Sequence, residues 1–431
     1  MQFINNKIAI LGLGEEGKDL LAFIKKNSRH SSIKVFDKIK TVNLENFDLI
    51  FRSPGFHRLS PMLKKAEKAG VKISSATKLF FELCPAKIIG VTGTKGKGTT
   101  STLISQILKE SSKKVYLAGN IGHSPLKLLG RLKPSDWVVL ELSSFQLQDL
   151  NLSPKIAVGL NITSEHLDVH RSTAEYRKAK QNILAWQKSN DRAVLNADYP
   201  LTRSWQKLTK ATTYWFSRQH KVKGSYVAKG KIYLHLKAKP IQVGSADKLQ
   251  LRGEHNRENV TAAITASALA GAKVTAIKRA VFAFKGLEHR LELVRKVGGV
   301  NWYNDSFSTT PETAMAAIGS FSEPMTIILG GSEKGSNYRG LGRLIVKSRN
   351  LQTIILIGKT AGKIESAIKN AGKFNGKIIK GLRSMTAIVK MADKQSLPGG
   401  VVVLSPAAAS FDMFKNYKDR GNQFKTAVKK L

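Results

Sequence analysis

The sequence predicts an α/β protein of three domains, on three observations. A strand-like run leads into Gly12-Leu13-Gly14-Glu15-Glu16-Gly17; a second such run leads into the glycine-rich stretch Gly90–Gly98; and strand and helix signals alternate again after Gly299. Strand, glycine turn and helix in that order mark nucleotide-binding α/β units. The expected division is a Rossmann-like N-terminal domain over 1–86, a central P-loop ATPase-type domain over 87–287, and a Rossmann-like C-terminal domain over 288–431. At 431 residues the chain exceeds one ordinary core, which fits two or three domains.

The first strand is KIAIL at 7–11, and the glycine loop after it matches G-x-G-x-x-G. A helix over Lys18–Lys26 follows, then a strand over Ile33–Phe36 ending at Asp37, 20 residues beyond Gly17. By spacing alone this is a dinucleotide fingerprint, with the acid placed for a ribose hydroxyl, so an NAD-dependent dehydrogenase is one reading. A third strand, FDLIF at 47–51, runs into Arg52-Ser53-Pro54-Gly55, a turn at the sheet edge where such folds bind ligands. A helix over 61–69 closes at Gly70, and strand VKIS follows.

The second loop is IIGVTGTKGKGTTST at 88–102. Its glycines let backbone N–H groups surround an anion, and the following helix adds positive charge at its N-terminus. The strict G-x-x-x-x-G-K-[ST] pattern is not met. Val91 stands where the first glycine belongs and Gly98 where the hydroxyl belongs, so a metal-side hydroxyl falls to Thr99. A helix over 99–110, a strand at 114–118 and the turn Gly119-Asn120-Ile121-Gly122 come next. Strand WVVLEL at 137–142 presents Glu141, and strand IAVGLNI at 156–162 delivers Thr163-Ser164-Glu165-His166-Leu167-Asp168. An acid at the end of a buried parallel strand near a phosphate loop is placed for Mg²⁺. Helix 173–188 carries Lys180 beside Tyr176, Ala179, Ile183 and Leu184, on or next to an apolar face.

Residues 201–250 read as a lysine-rich peripheral β-region. An alanine-rich helix runs from about Asn256 to Ala270, and Gly286-Leu287-Glu288-His289-Arg290 reads as a linker, making 286–299 a hinge candidate. The third unit has strands in VNWYNDS, MTIILGG, TIILIG and VVVLSP; its last stretch starts a helix with Gly421 as breaker.

Composition narrows the classes. One cysteine, Cys84, excludes a disulfide framework and predicts a reducing, cytoplasmic setting. No uninterrupted apolar run reaches the length of a membrane span. The net charge of +41 invites a nucleic-acid reading, yet it divides as +7, +21 and +13 over 1–86, 87–287 and 288–431. A nucleic-acid footprint is concentrated and interleaved with aromatics, so no specific nucleic-acid partner is expected.

The most specific pieces are GTKGKGTT at 93–100, GNIG at 119–122, LELSSFQL at 140–147, YRKAK at 176–180, GEHNREN at 253–259, HR at 289–290, NDS at 304–306, and LSPAAASFDMFKNY with RGNQF near the end. In this order and spacing they resemble the Mur ligase family over nearly the whole chain. The resemblance implies a monomeric enzyme of small-molecule substrates. ATP drives addition of D-glutamate to UDP-N-acetylmuramoyl-L-alanine through an acyl phosphate, a step of peptidoglycan precursor synthesis that underlies cell shape and division.

It also implies site residues. Gly14, Glu15, Asp37, Lys38, Ser53, Gly55 and Asn120 become contacts to the nucleotide-sugar substrate. Gly93, Thr94, Lys95, Gly96, Lys97, Gly98, Thr99 and Thr100 cradle ATP, with Asn256 and Asn259 on the adenine side and Arg290 and Asp305 as further nucleotide contacts. Two Mg²⁺ ions are implied, with Thr99, Glu141, His166 and a carbamylated Lys180 as ligands. Lys97, Glu141, His166 and Lys180 are the catalytic set. Thr309, Lys334, Ser410 and Tyr417 match the glutamate pocket, while Phe307 stands where the family pattern has lysine. Folylpolyglutamate synthetases share the GKG-plus-hydroxyl loop and the acyl-phosphate chemistry and remain a second reading.

Overall fold

A computed structural model describes residues 3–37, 42–162 and 172–431. Lys38 and His166 lie outside the described residues. By packing the chain divides into two compact units, one of residues 1–248 with 257–282, the other of 249–256 with 283–431.

The first unit holds two main sheets. The smaller is fully parallel, with spatial order Ser32–Phe36, Lys7–Leu11, Leu49–Arg52 and Lys72–Ser74. Side chains alternate across it as a strand requires: Ile8 and Ile10 pack with Leu20, Ile24 and Phe80 on one face, Ala9 and Leu11 with Leu63 and Ala66 on the other. The larger sheet runs Ile241–Ser245, Lys231–His235, Gly224–Ala228, Thr212–Ser217, Arg192–Asn196, Ile156–Gly159, Lys87–Thr92, Trp137–Glu141, Val115–Gly119. Only Lys231–His235 runs against the others, so the first two pairings are antiparallel and the rest parallel; the central strands Ile156–Gly159, Lys87–Thr92 and Trp137–Glu141 are apolar and buried, as strands inside a parallel sheet are. The lysine-rich region expected to be β and peripheral forms that antiparallel edge. Apolar residues of the two sheets merge into one cluster that includes Ile10, Phe51, Val138 and Leu140.

The second unit is a six-stranded sheet ordered Glu292–Val297, Val300–Asn304, Val401–Leu404, Met325–Gly330, Leu351–Ile357, Lys377–Ile379, parallel except at its first pair. No helix among the described residues is long and apolar enough to cross a membrane.

Several expectations are corrected. The helix after the first loop spans Glu15–Asn27, starting three residues early because Gly14 already caps it. The helix after the second loop spans Lys97–Glu110, since Gly96 at φ 85 turns the chain and frees Lys97 to begin it. Helix Thr173–Ala185 stops before 188. Helices Ala76–Leu83 and Val274–Ala283 are additional. Within the hinge candidate at 286–299, residues 292–297 form the strand Glu292–Val297, paired with Val300–Asn304, which leaves the hinge expectation itself standing. Gly421 breaks nothing: it lies inside helix Tyr417–Lys429, where a Cβ would meet His289 Nδ1 at 2.3 Å. It is a glycine of close approach.

Candidate active site

The first loop is built by three constraints. Gly12 has φ 91, and a Cβ there would stand 2.1 Å from Ser53 Oγ; one on Gly17 would meet the Gly12 carbonyl at 2.1 Å. Glycine is therefore needed at both positions for the turn to reach Ser53 and for the helix to pack on the strand. Asp37 accepts a hydrogen bond from the Leu13 amide at 3.1 Å, and Ser53 N donates to the Leu11 carbonyl at 2.9 Å. Gly14, Glu15, Asp37, Ser53 and Gly55 thus gather at the C-terminal edge of the parallel sheet, with Gly14, Glu15, Asp37 and Gly55 exposed.

The second loop sits at the same kind of edge. Strand Lys87–Thr92 is central, flanked by Ile156–Gly159 and Trp137–Glu141, with Val91 in register with Glu141. Glu141 is buried, and its carbonyl accepts the Asn120 amide at 3.2 Å. Lys97 Nζ donates to the carbonyls of Gly93 and Thr94, at 3.0 and 3.1 Å, so its ammonium lies over the loop. Lys180 is 2% exposed; its Nζ donates to the Gly93 carbonyl at 2.9 Å and lies 4.8 Å from the Tyr176 ring centre. The Tyr176 hydroxyl pairs with Thr94 Oγ1 at 3.1 Å. Gly96 and Asn259 are in close approach, and Thr100 Oγ1 donates to Asn259 Oδ1 at 3.4 Å. Gly98, Thr99 and Thr100 occupy the first helical turn, all buried, while Lys95 is exposed. The Lys180 amine is therefore buried against a phosphate-type loop, and a surface role is ruled out.

In the second unit, Asp305 is buried, accepting from Ser405 Oγ at 2.7 Å and the Leu291 amide at 3.1 Å. Burial pushes its carboxyl up to about 7, against the pull of those hydrogen bonds and the Arg290 charge. The Arg290 guanidinium lies 4.0 Å over the Phe307 ring, and Phe307 meets Tyr417 edge-on at 4.9 Å. Ser306 Oγ donates to the Tyr417 carbonyl at 2.7 Å. Arg420, buried, donates to Ser306 and to the carbonyls of Ala408 and Ala409, drawing 306 and 408–410 together; burial lowers its guanidinium to about 10. Ser410 is buried in that loop, and Phe414 and Met413 turn on its carbonyl. Lys334 is exposed, its ammonium 5.4 Å from the Phe411 ring centre, and Thr309 is half-buried after Ser308. Asn256 packs within the second unit, donating to the Arg252 carbonyl at 2.7 Å.

The expected residues thus fall into local groups: 14, 15, 37, 53 and 55; then 93–100 with 120, 141, 180 and 259; then 290, 305 and 417 around Phe307. Sequence reasoning missed Tyr176, Arg52 and Arg420 as parts of these sets. Tyr176 was detectable, since it lies one helical turn before Lys180 on the same face. His289 was seen only as half of a motif, yet it is buried; its Nδ1 lies 2.9 Å from Asn304 Nδ2. Asn304 Oδ1 accepts the Ser306 amide, which orients the amide group and makes Nδ1 the acceptor. Burial lowers the imidazole's affinity for a proton, consistent with that neutral form.

Oxygen donors suit a hard cation, and the Thr99 hydroxyl and the Glu141 carboxylate supply them at one sheet edge. The buried Lys180 amine beside that loop would join such a set only after conversion to an acid.

Family models match the chain twice: the Mur ligase middle domain over 91–267 and the Mur ligase glutamate ligase domain over 289–408. The UDP-N-acetylmuramoylalanine--D-glutamate ligase of Acetivibrio thermocellus is 38% identical, covering 99% of this chain and 97% of its own. That of Symbiobacterium thermophilum is 40% identical over 90% of this chain and 85% of its own. The solved MurF ligase of Thermotoga maritima in complex with ADP superposes with a TM-score of 0.61 at 18% identity, covering 99% of this chain and 96% of its own, a likeness of fold.

Proposed function

The chain belongs to the Mur ligase family, and from that premise we propose that it joins D-glutamate to UDP-N-acetylmuramoyl-L-alanine at the expense of ATP, in peptidoglycan precursor synthesis. The observation that carries the reading is the 38% identity with the Acetivibrio ligase through 99% of the chain. The phosphate loop supports its ATP-dependent half. No observation favours a folate substrate, and in this reading the Gly12–Gly17 loop serves uridine diphosphate in place of NAD.

A carboxylate is a poor acceptor for an amine. Its oxygen therefore attacks the γ-phosphorus of ATP, ADP leaves, and an acyl phosphate forms. The amino nitrogen of glutamate then attacks the carbonyl carbon, and the C–O bond to phosphate breaks. Both partners of the first step are anions, so the chain must offset their repulsion. Lys97, freed from the Gly93 and Thr94 carbonyls, meets the transferred phosphate together with loop amides between Lys95 and Thr99. Magnesium held by Thr99, Glu141, His166 and a carbamylated Lys180 would supply further charge neutralisation. Lys180 is out of water, with its amine held against the Gly93 carbonyl of the loop.

Gly14, Glu15, Asp37, Lys38, Ser53, Gly55 and Asn120 hold the nucleotide sugar; Asn256, Asn259, Arg290 and Asp305 serve ATP; Thr309, Lys334, Ser410 and Tyr417 hold glutamate. Phe307 offers no charge to a carboxylate, which places that task on Lys334. Three domains, 1–86, 87–287 and 288–431, accompany this division of labour, each range containing one main sheet. Phosphate release that requires ATP, Mg²⁺, the nucleotide sugar and D-glutamate together tests the reading. Release without the nucleotide sugar contradicts it.

A further inference from the structure

Arg52 ends the third strand of the small parallel sheet, immediately before the Ser53–Gly55 turn, and its side chain is 1% exposed. Its partner is Asp149, 97 residues on and equally buried: Nε lies 2.9 Å and Nη2 2.5 Å from Oδ2. The same guanidinium donates in two directions. Nη1 reaches the carbonyl of Phe56 at 2.6 Å, and Nη2 that of Phe145 at 2.9 Å. Arg58 Nε stands 2.8 Å from the other oxygen of Asp149 and also pairs with Glu67.

One planar cation thus fastens the turn 53–56 to the segment 144–149. That segment begins two residues after Leu142, whose amide donates to the Val91 carbonyl beside the phosphate loop. It starts with a capping box, Ser143 and Gln146 exchanging hydrogen bonds, so the short helix Ser144–Leu147 is held rigidly on the strand that ends at Glu141. Glu16, from the helix after the first glycine loop, also bonds Gln146 as well as Thr77. Two elements of the first loop therefore converge on one short helix of the second.

A buried ion pair is poor value as a stabiliser, because desolvation cancels most of its attraction. Its geometry fixes a relative position. We infer that Arg52 and Asp149 are positioning residues that set the span between the loop at 12–17 and 53–55 and the phosphate loop at 93–100. Resting on the function proposed above, the span is a ruler for one long substrate, whose diphosphate end binds the first loop while its carboxylate must reach the second. Neither residue touches a reacting atom.

The test compares the native full chain with Asp149→Asn and with the apolar pair Arg52→Met/Asp149→Leu, which removes both charges together. Asp149→Asn leaves Arg52 on the Phe56 and Phe145 carbonyls. The expected result is a fall of about tenfold or more in kcat/KM for the complete nucleotide sugar. Binding of UDP alone, by calorimetry, and KM for ATP then stay within about twofold. Unchanged turnover in a folded variant overturns the inference, and so does a parallel loss of UDP binding, ATP use and melting temperature. If the native chain does not turn over this substrate, the functional reading fails and the link is read by hydrogen exchange. Amides at 53–56 and 144–149 then lose protection in Asp149→Asn if the link exists and keep it if it does not.

Discussion

The side-chain oxygen of Asn259 lies 2.1 Å from the point where a Cβ on Gly96 would stand. Helix Glu254–Leu269 thus closes directly on the backbone of the phosphate loop, at a residue whose φ of 85 already disfavours any side chain. Gly96→Ala is expected to destabilise the chain by roughly 1–3 kcal/mol from strain and overpacking. It should also abolish nucleotide binding, because Asn259 must move. Denaturant unfolding and ATP calorimetry check both; full ATP affinity in the variant contradicts this view of the loop.

Lys97 and Lys180 reach the same carbonyl, that of Gly93. Either alanine variant should lower turnover by about two orders of magnitude or more. The two differ in rescue. A small carboxylate added to Lys180→Ala should restore part of the rate by occupying the place of a carbamate, and no anion should restore Lys97→Ala. Steady-state phosphate release with and without acetate distinguishes them; equal behaviour removes the case for modification.

Burial raises Asp305 from its ordinary 3.8 to about 7. The folded state then binds this proton more tightly than the unfolded chain. Its stabilising contribution is full below about pH 4 and is lost as pH climbs through about 7. Asp305→Asn, which keeps an oxygen for Leu291 or Ser405, should match the native chain's unfolding free energy near pH 4 and exceed it at pH 8 by an amount on the order of a few kcal/mol, read by denaturant unfolding at the two pH values. A difference that does not vary with pH refutes an uncharged Asp305.

Gly421 separates two accounts of its helix by sign. A glycine tolerated only as a breaker is stabilised by alanine, by about 1 kcal/mol. Here the new methyl meets His289 Nδ1 at 2.3 Å and Asn304 Oδ1 at 3.0 Å, so Gly421→Ala should cost about 1–3 kcal/mol and disturb the His289–Asn304 hydrogen bond. Equilibrium unfolding decides.

These cases mark where the sequence was legible. Parallel strands such as VVVL and MTIIL declare themselves as short apolar runs, and strand–glycine–helix order located both loops. Gly421 carried only its local signal, that of a breaker. What excludes a side chain there is a histidine 132 residues earlier, and no local pattern reports that. Helix Ala76–Leu83 was hidden because ATKLFFEL is dense in apolar residues and ends beside Pro85; its buried face, Ala76, Leu79 and Phe80, emerges only against the small sheet. Tyr176 and Lys180 were readable as one face, while the depth of that face was not. Arg52 and Asp149 gave no signal at all, since their pairing depends on two sheets packing together.

Acceptor choice is the most direct test of the central claim, because Phe307, with Arg290 on its face and Tyr417 at its edge, stands among the residues proposed to hold glutamate. The decisive measurement is phosphate release by the native chain with ATP, Mg²⁺ and UDP-N-acetylmuramoyl-L-alanine across D- and L-amino acids. Turnover with D-glutamate well above every other acceptor is the predicted result; equal or faster turnover with another amino acid contradicts it.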